Sequence, residues 1–340
     1  MNVRMSDVAA HAGVSEATVS RVLNAKSGVS AETRQAVLTA MDVLGYERPS
    51  RLRSRSAGLV GLIVPELENP IFPAFAQVIE TMLAQHSFTP VLCTQTPGGV
   101  PEDEYVEMLL DRDVAGIIFV SGRHADTQAD HGRYHELRKR GIPMVLINGY
   151  IEGLDVPFIS NDHANAVELA AAHLVSLGHK RIGLAIGQDR YMPTQRKIEG
   201  FRRSMAALLD DDDPPISSSF YTVEGGGASA RSLLDLDCTG IICGSDLMAL
   251  GAIRAVRACG LSVPSDVSVV GSDDSVLIAF TDPPLTTVRQ PVAAMGKAAV
   301  ESLISEVGRS SAPQTEFLFA PELVVRGSTA PVQSKTRLSA

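Results

Sequence analysis

Two stretches of this chain carry side chains that could do chemistry together. Asp273-Asp274 follows the apolar run Val267-Ser-Val-Val-Gly271, and Arg196-Lys197 stands just before Gly200-Phe201. Adjacent carboxylates can act as acid and base. A carboxylate placed directly after a strand can equally accept hydroxyl hydrogens from a sugar. The catalytic reading lacks companions. The sequence holds no nucleophile elbow, no Gly-Lys-Ser phosphate loop and no full dinucleotide fingerprint, and Gly225-Gly-Gly227 reads better as a turn into a helix. The histidines are dispersed, with His124, His131 and His135 in a polar stretch read as a solvated loop and helix face. Cys93, Cys238, Cys243 and Cys259 lie in apolar runs without the spacing of a zinc site, so they are read as buried reduced thiols. The chain is therefore expected to bind rather than catalyse, with no metal and no cofactor.

Open parallel sheets hold ligands beyond the C-terminal ends of their strands. The polar and aromatic candidates at such places are Asn69 and Phe72 after the first strand, Asn148 after the fourth, and Asp162. In the second half they are Arg196, Lys197, Phe220, Ser245, Asp246 and Asp273. Phe220 also suits a core position, Asn69 the Asn-Pro turn and Asp246 a helix cap. Charged and amide groups with an aromatic face suit a small polar ligand.

The elements that must position them alternate. Leu59–Val64, Pro90–Cys93, Val114–Val120 and Pro143–Ile147 read as buried parallel strands with helices between them. The rhythm restarts near residue 160. A helix from about Ala164 to Leu177 leads to a strand at Ile182–Ile186, and a helix around Ile198–Leu209 follows. Strands are expected at Phe220–Val223, Gly240–Cys243 and Val267–Gly271. Two α/β lobes facing a cleft result, each with a parallel sheet covered on both faces.

Before the lobes lies Met5-Ser-Asp-Val-Ala-Ala-His-Ala-Gly-Val-Ser-Glu-Ala-Thr-Val-Ser-Arg-Val-Leu-Asn24. It reads as two short helices joined at Gly13. Ser6 is the expected cap of the first helix and Ser15 of the second. Val19, Val22 and Leu23 face the core, while Glu16, Ala17, Ser20 and Arg21 make an exposed face suited to a major groove. A third helix is capped by Ser30, carries Val37, Leu38, Met41 and Leu44 inward, and stops at Gly45. Spacing alone leaves open a helical pair that never touches DNA. The net charge of −9 hides an asymmetry: residues 1–58 hold eight Lys/Arg against five Asp/Glu, so the head is basic and the body acidic. No apolar run approaches membrane-spanning length and no secretory signal precedes the head, which is read as a cytoplasmic chain.

The stretch from Met5 to Asn24, with Val29-Ser30, Thr33-Arg34 and Leu44-Gly-Tyr46, resembles the N-terminus of the lactose-repressor (LacI/GalR) family. Gly61-Leu-Ile-Val-Pro65, Asn69-Pro70, Asp246-x-Met-Ala-x-Gly251, Val263-Pro264, Val269-Val-Gly271 and Pro284-Leu-Thr-Thr-Val288 are similar to that family's later blocks. The resemblance implies a homodimeric repressor that binds double-stranded operator DNA under control of a small effector. It implies DNA contacts from Ser6, Ser15, Glu16, Ala17, Thr18, Ser20, Arg21 and Asn24. It also implies a hinge segment, with Arg51, Arg53 and Arg55 on the minor groove and Leu52 as a wedge. Here the sequence departs from the family: Ser50 replaces the usual Asn, and the alanine-rich hinge pattern is missing.

The implied layout is a helix-turn-helix head over residues 1–49, a hinge over 50–58, a two-lobed body over 59–330 and a short tail over 331–340. Lobe 1 takes about 59–160 and 289–319, and lobe 2 about 161–288 and 320–330, with crossings near residues 160, 288 and 320. The body resembles periplasmic binding proteins, and the tail lacks the leucine heptads of a tetramer-forming coil. The family's effector-contacting Arg falls on Lys197, and the usual Asn before Asp246 is Ser245. A sugar is the first expectation for the effector, and a nucleobase or sugar phosphate the second. A solute-binding protein and a sugar-active enzyme are the rival readings. The DNA head opposes the first, and the missing catalytic constellation opposes the second.

Overall fold

The computed structural model describes residues 3–23, 28–46, 57–95, 98–308 and 315–332. The chain divides into two compact units, a small N-terminal head and a large body.

In the head, α1 (Met5–Ala12), α2 (Glu16–Leu23) and α3 (Ala31–Leu44) enclose Val8, Ala9, Val19, Val22, Val37 and Ala40. Gly13 ends α1 and Gly45 ends α3, both in the left-handed conformation that glycine adopts without strain. The Ser15 and Ser30 hydroxyls accept the Thr18 and Thr33 amides at 3.2 and 3.1 Å, so both cap as expected. Ser6 does not. Helix α1 begins one residue before it, because the Asp7 carboxylate accepts the Arg4 amide at 2.8 Å and closes the first turn. Leu38 is 46% exposed, and Ala40 takes its place in the core.

The body carries two six-stranded sheets. The first runs β11-β5-β4-β3-β1-β2, with β1 (Gly58–Val64), β2 (Phe88–Thr94), β3 (Gly116–Val120), β4 (Met144–Ile147), β5 (Phe158–Asn161) and β11 (Glu316–Phe319). The second runs β12-β10-β9-β8-β6-β7, with β6 (Ile182–Ile186), β7 (Ile216–Ser218), β8 (Gly240–Cys243), β9 (Ser268–Asp273), β10 (Thr286–Arg289) and β12 (Glu322–Val324). The β1–β3, β3–β4, β4–β5 and β5–β11 pairs are parallel, and in the second sheet only β12 pairs antiparallel, against β10. Strands β3, β4, β6 and β8 are buried along their whole length, which is why they read as continuous apolar runs rather than alternating ones. The chain passes between the sheets after β5, after β10 and between β11 and β12.

Helices α4 (Ile71–Gln85), α5 (Glu102–Leu110), α6 (Gly132–Lys139) and α11 (Val292–Val307) belong to the first half of the fold. Helices α7 (His163–Ser176), α8 (Met192–Leu209), α9 (Val223–Leu234) and α10 (Asp246–Ala258) belong to the second. Several expectations change here. Residues 220–223 are not a strand. The Thr222 hydroxyl accepts the Gly225 amide at 3.0 Å and caps α9, and capping overrides the β-prone residue types. Gly225–Gly227 consequently lie inside α9 rather than in a turn. A side chain at Gly226 would meet the Met248 carbonyl, and one at Gly251 the Val223 carbonyl, so these glycines let α9 and α10 touch backbone to backbone. Helix α8 starts six residues before the expected Ile198, with Pro193 in its first turn, where the missing N–H costs nothing. His124 is buried, not solvated, and Cys259 is exposed, not buried.

Candidate functional site

A cavity of about 650 Å³ lies between the two lobes of the body. Its walls come from strand ends and the segments just after them: Asn69 and Phe72 beyond β1, Ser121 beyond β3, Asn148 beyond β4, Ser245 beyond β8, Asp273 at the end of β9 and Gln290 beyond β10. Three of these residues hold positive φ without being glycine: Ser121 at 46°, Asn148 at 60° and Asp273 at 117°. Such conformations cost of order 1–3 kcal/mol each, and they persist where the surrounding fold imposes them, commonly around ligand sites.

Lys197 and Asp273 are two buried ionisable residues of the lobe 2 wall. Lys197 is 5% exposed, and its Nζ donates to the Gly244 carbonyl at 2.7 Å. Asp273 is 6% exposed, and its Oδ1 accepts the Gln290 amide at 2.6 Å. Burial penalises both charged forms. It pushes the Asp273 carboxyl up to about 7, and the Lys197 charge offsets only part of that rise. Burial likewise lowers the Lys197 ammonium, against the opposing charges of Asp273 and Asp246. Tyr221 stands beside them, with the Lys197 ammonium 5.9 Å from its ring centre and its hydroxyl 2.8 Å from Thr194 Oγ1. Burial raises the Tyr221 phenol to about 12, so it stays a neutral hydroxyl.

The lobe 1 wall is built around Glu102, which is 5% exposed. Its carboxylate accepts Gln95 Nε2 at 2.7 Å, the Arg123 amide at 3.1 Å and the Tyr134 hydroxyl. Arg123 itself pairs with Asp103 at 3.1 Å. Asn148 Oδ1 accepts the Asn161 amide at 3.1 Å, which fixes the side chain on the wall. At the edge of the cavity a segment of lobe 1 meets one of lobe 2. Asp126 pairs with Arg190 at 3.5 Å, and the Thr127 hydroxyl donates to the Arg190 carbonyl at 2.8 Å.

Of the sequence-predicted effector residues, Asn69, Phe72, Asn148, Lys197, Ser245 and Asp273 line this cavity. Four others are placed elsewhere. Asp162 caps α7, its Oδ1 accepting the Asn165 amide at 3.0 Å. Arg196 is held in a two-pronged pair with Glu316. Phe220 is 62% exposed, neither core nor cavity wall, because Tyr221 turns inward instead. Asp246 is buried and saturated by Thr287 Oγ1, Ser275 Oγ and the Ser275 amide at 2.6–2.7 Å, so it anchors β10 and the segment after β9. The sequence reading missed Tyr191 and Gln290, and it missed His163 and Tyr221, each of which lies one residue beyond a candidate. The signal was present only as neighbourhood, since side-chain facing depends on where a strand ends to within one residue.

In the head, Ser6, Ser15, Glu16, Ala17 and Arg21 are exposed, and Thr18 and Ser20 are half-buried. Asn24, Arg51, Leu52, Arg53 and Arg55 lie outside the described residues. Glu16, Ala17, Ser20 and Arg21 share the side of α2 turned away from Val19 and Val22.

Residues 4–49 match the model of bacterial regulatory proteins of the lacI family, and residues 171–329 match the periplasmic binding protein-like domain. The chain is 63% identical to the HTH-type transcriptional regulator reg1 of Streptomyces lividans over 97% of each chain. Among solved structures it is similar to the transcriptional regulator CelR–cellobiose complex, with TM-score 0.72, 29% identity and 96% and 99% of the two chains covered. It is also similar to the lac repressor dimer bound to operator and the anti-inducer ONPF, with TM-score 0.71, 28% identity and 97% and 100% covered. A helix-turn-helix head, a two-lobed body with a cavity at its strand ends, and these likenesses along nearly the whole chain agree, and the chain belongs to the lacI family of bacterial regulatory proteins.

Proposed function

We propose that this chain is a homodimeric, DNA-binding transcriptional repressor whose affinity for its operator is set by a neutral sugar held between the lobes. The observation that carries the choice of effector is the charge on the cavity wall. Glu66, Glu102, Asp126 and Asp273 line it, Arg123 pairs with Asp103, and the Lys197 ammonium donates to the Gly244 carbonyl. A phosphate group would meet this acidic surround with only Arg123 and Lys197 as cations among the described lining residues, both already bonded within the protein. Hydroxyls meet what they need: carboxylate and amide acceptors, a buried ammonium, and the rings of Phe72, Tyr191 and Tyr221 for the apolar face of a sugar. A cavity of about 650 Å³ is within the usual range for small-molecule sites. The CelR structure holds cellobiose, which supports the same class of ligand here.

In this reading the cavity binds and does not catalyse, and the chain works in the cytoplasm beside its DNA. Among the described residues no helix is long and apolar enough to cross a membrane. The sugar shifts an equilibrium between two lobe arrangements by its differential affinity for them. The lobe arrangement sets the spacing of the two heads across the dimer, and so their fit to two half-sites. The test is a thermal-shift series on the full chain with glucose, ribose, cellobiose, maltose, glucose 6-phosphate and hypoxanthine. A true effector stabilises the folded state by mass action, by about 2.7 kcal/mol at a hundredfold excess over Kd. The expected result is a shift with a neutral sugar, followed by a change in gel-shift affinity for DNA upstream of the chain's own gene. Stabilisation by the phosphate ester or the base alone overturns the sugar assignment.

A further inference from the structure

Among the described residues, the cavity wall holds two buried polar atoms without hydrogen-bond partners, and they are of opposite kind. His163 is 3% exposed and opens α7, just after the chain leaves β5 for the second lobe. Its Nδ1 lies 3.5 Å from Asn161 Nδ2. An amide nitrogen only donates, so Nδ1 accepts, and the proton of the neutral ring sits on Nε2. That Nε2 has no hydrogen-bond partner. Gln290 is 7% exposed and directly follows β10, where the chain returns to the first lobe. Its Nε2 donates to Asp273, which fixes the amide orientation, and its Oε1 is left without a partner. Both residues line the cavity. Ser160 Oγ and Asn161 Oδ1 are also unpartnered but are not part of that wall.

Folded proteins pair the large majority of their buried polar atoms, so an unpartnered donor and an unpartnered acceptor in one wall mark a site that something else completes. A hydroxyl can accept from one and donate to the other. Burial, reinforced by the Lys197 and Arg196 charges, holds the His163 ring well below its ordinary range and keeps it neutral.

We propose that His163 and Gln290 are two further effector-contacting residues, a donor and an acceptor carried by two of the segments that cross between the lobes. This rests on the sugar reading above and deepens it. The effector would then bond to the crossing segments themselves as well as to the wall that holds Lys197 and Asp273.

The experiment is calorimetry on the full chain with whichever neutral sugar of the series above stabilises it most, and with the monodeoxy derivatives of that sugar. On the unmodified protein, at least one monodeoxy derivative should bind about tenfold more weakly or worse, because its loss orphans a buried group again. His163→Leu and Gln290→Met should each lose a similar factor with the parent sugar. Each should lose little more with its matching deoxy sugar, because the two deletions remove the same bond. Parent-sugar affinity unchanged in both variants, or losses that simply multiply for every derivative, overturns the proposal. If the variants do not fold, the derivatives on the unmodified protein still decide, and a flat series overturns it. Failure of every sugar to bind the unmodified protein is a different result and overturns the sugar reading itself.

Discussion

Arg196 on α8 and Glu316 on β11 form a two-pronged ion pair, with nitrogen–oxygen distances of 2.6 and 2.8 Å, that ties the second lobe to the first. The side chains are 27% and 16% exposed, so the pair is largely shielded from water. The planar guanidinium matches a carboxylate in this geometry as an ammonium cannot. The next residue, Lys197, turns about 100° around the helix and faces the cavity instead. Two adjacent cations thus face different ways: one pairs with the other lobe and the other lines the cavity.

The pair should be measurable as coupling. Arg196→Ala and Glu316→Ala, alone and together, are expected to show an interaction energy of about 1 kcal/mol or more in denaturant unfolding. Arg196→Lys should recover only part of it. Strictly additive losses would show that the pair contributes no more than two independent surface charges.

Asp273→Ala should weaken sugar binding by about tenfold or more, since a charge-assisted bond contributes about 1.5–3 kcal/mol and about 1.4 kcal/mol is a factor of ten. Asp273 belongs to the body and not to the head, so operator affinity without sugar should barely change. Calorimetry with the sugar and a gel-shift without it form the check. Normal sugar binding, or lost DNA binding with no sugar present, would place Asp273 in a purely structural role.

The raised Asp273 carboxyl gives a pH dependence with a definite sign. The folded protein keeps this proton up to about pH 7, whereas the unfolded chain releases it near 3.8. Between those values the folded state binds more protons than the unfolded one, so this group makes stability fall as pH rises through the window and level off above about 7. Sugar affinity should move the other way. Hydroxyls that donate to the carboxylate favour its ionised form, so affinity should rise from pH 6 to 8. Asp273→Asn should flatten both slopes; if it leaves both unchanged, another group titrates in the window.

The central strands and the helices between them were legible because buried parallel strands such as β4 and β6 are short apolar runs closed by turn residues, whereas β7 and the edge strands β11 and β12 were not. The cavity was legible only to within a residue. Asp162 and His163, or Phe220 and Tyr221, are neighbours in sequence, and which one lines the cavity depends on capping by Asp162 and Thr222. Asp246 drew attention as a carboxylate at a helix start, but its bonds to Ser275 and Thr287 come from residues distant in sequence. No local pattern reveals such partners. For the same reason Glu316 could not be foreseen as the partner of Arg196.

The last expectation concerns the head. Arg21 is exposed on α2, on the side turned away from the buried Val19 and Val22, with Glu16 and Ala17 exposed one turn earlier. A helix presenting small residues beside one long donor can lie close in a major groove, where an arginine bonds guanine through two acceptors. If Arg21 makes that contact, Arg21→Ala should cost about 1–3 kcal/mol on the operator and much less on random DNA, while the salt dependence of binding stays nearly constant. A phosphate contact behaves differently. It would weaken both DNAs alike and lower the log–log salt slope by roughly 0.9. Gel-shifts of the variant and the unmodified protein on operator and random duplexes at several salt concentrations separate the two. Equal losses on the two DNAs would assign Arg21 to the backbone and leave sequence reading to the other exposed residues of α2.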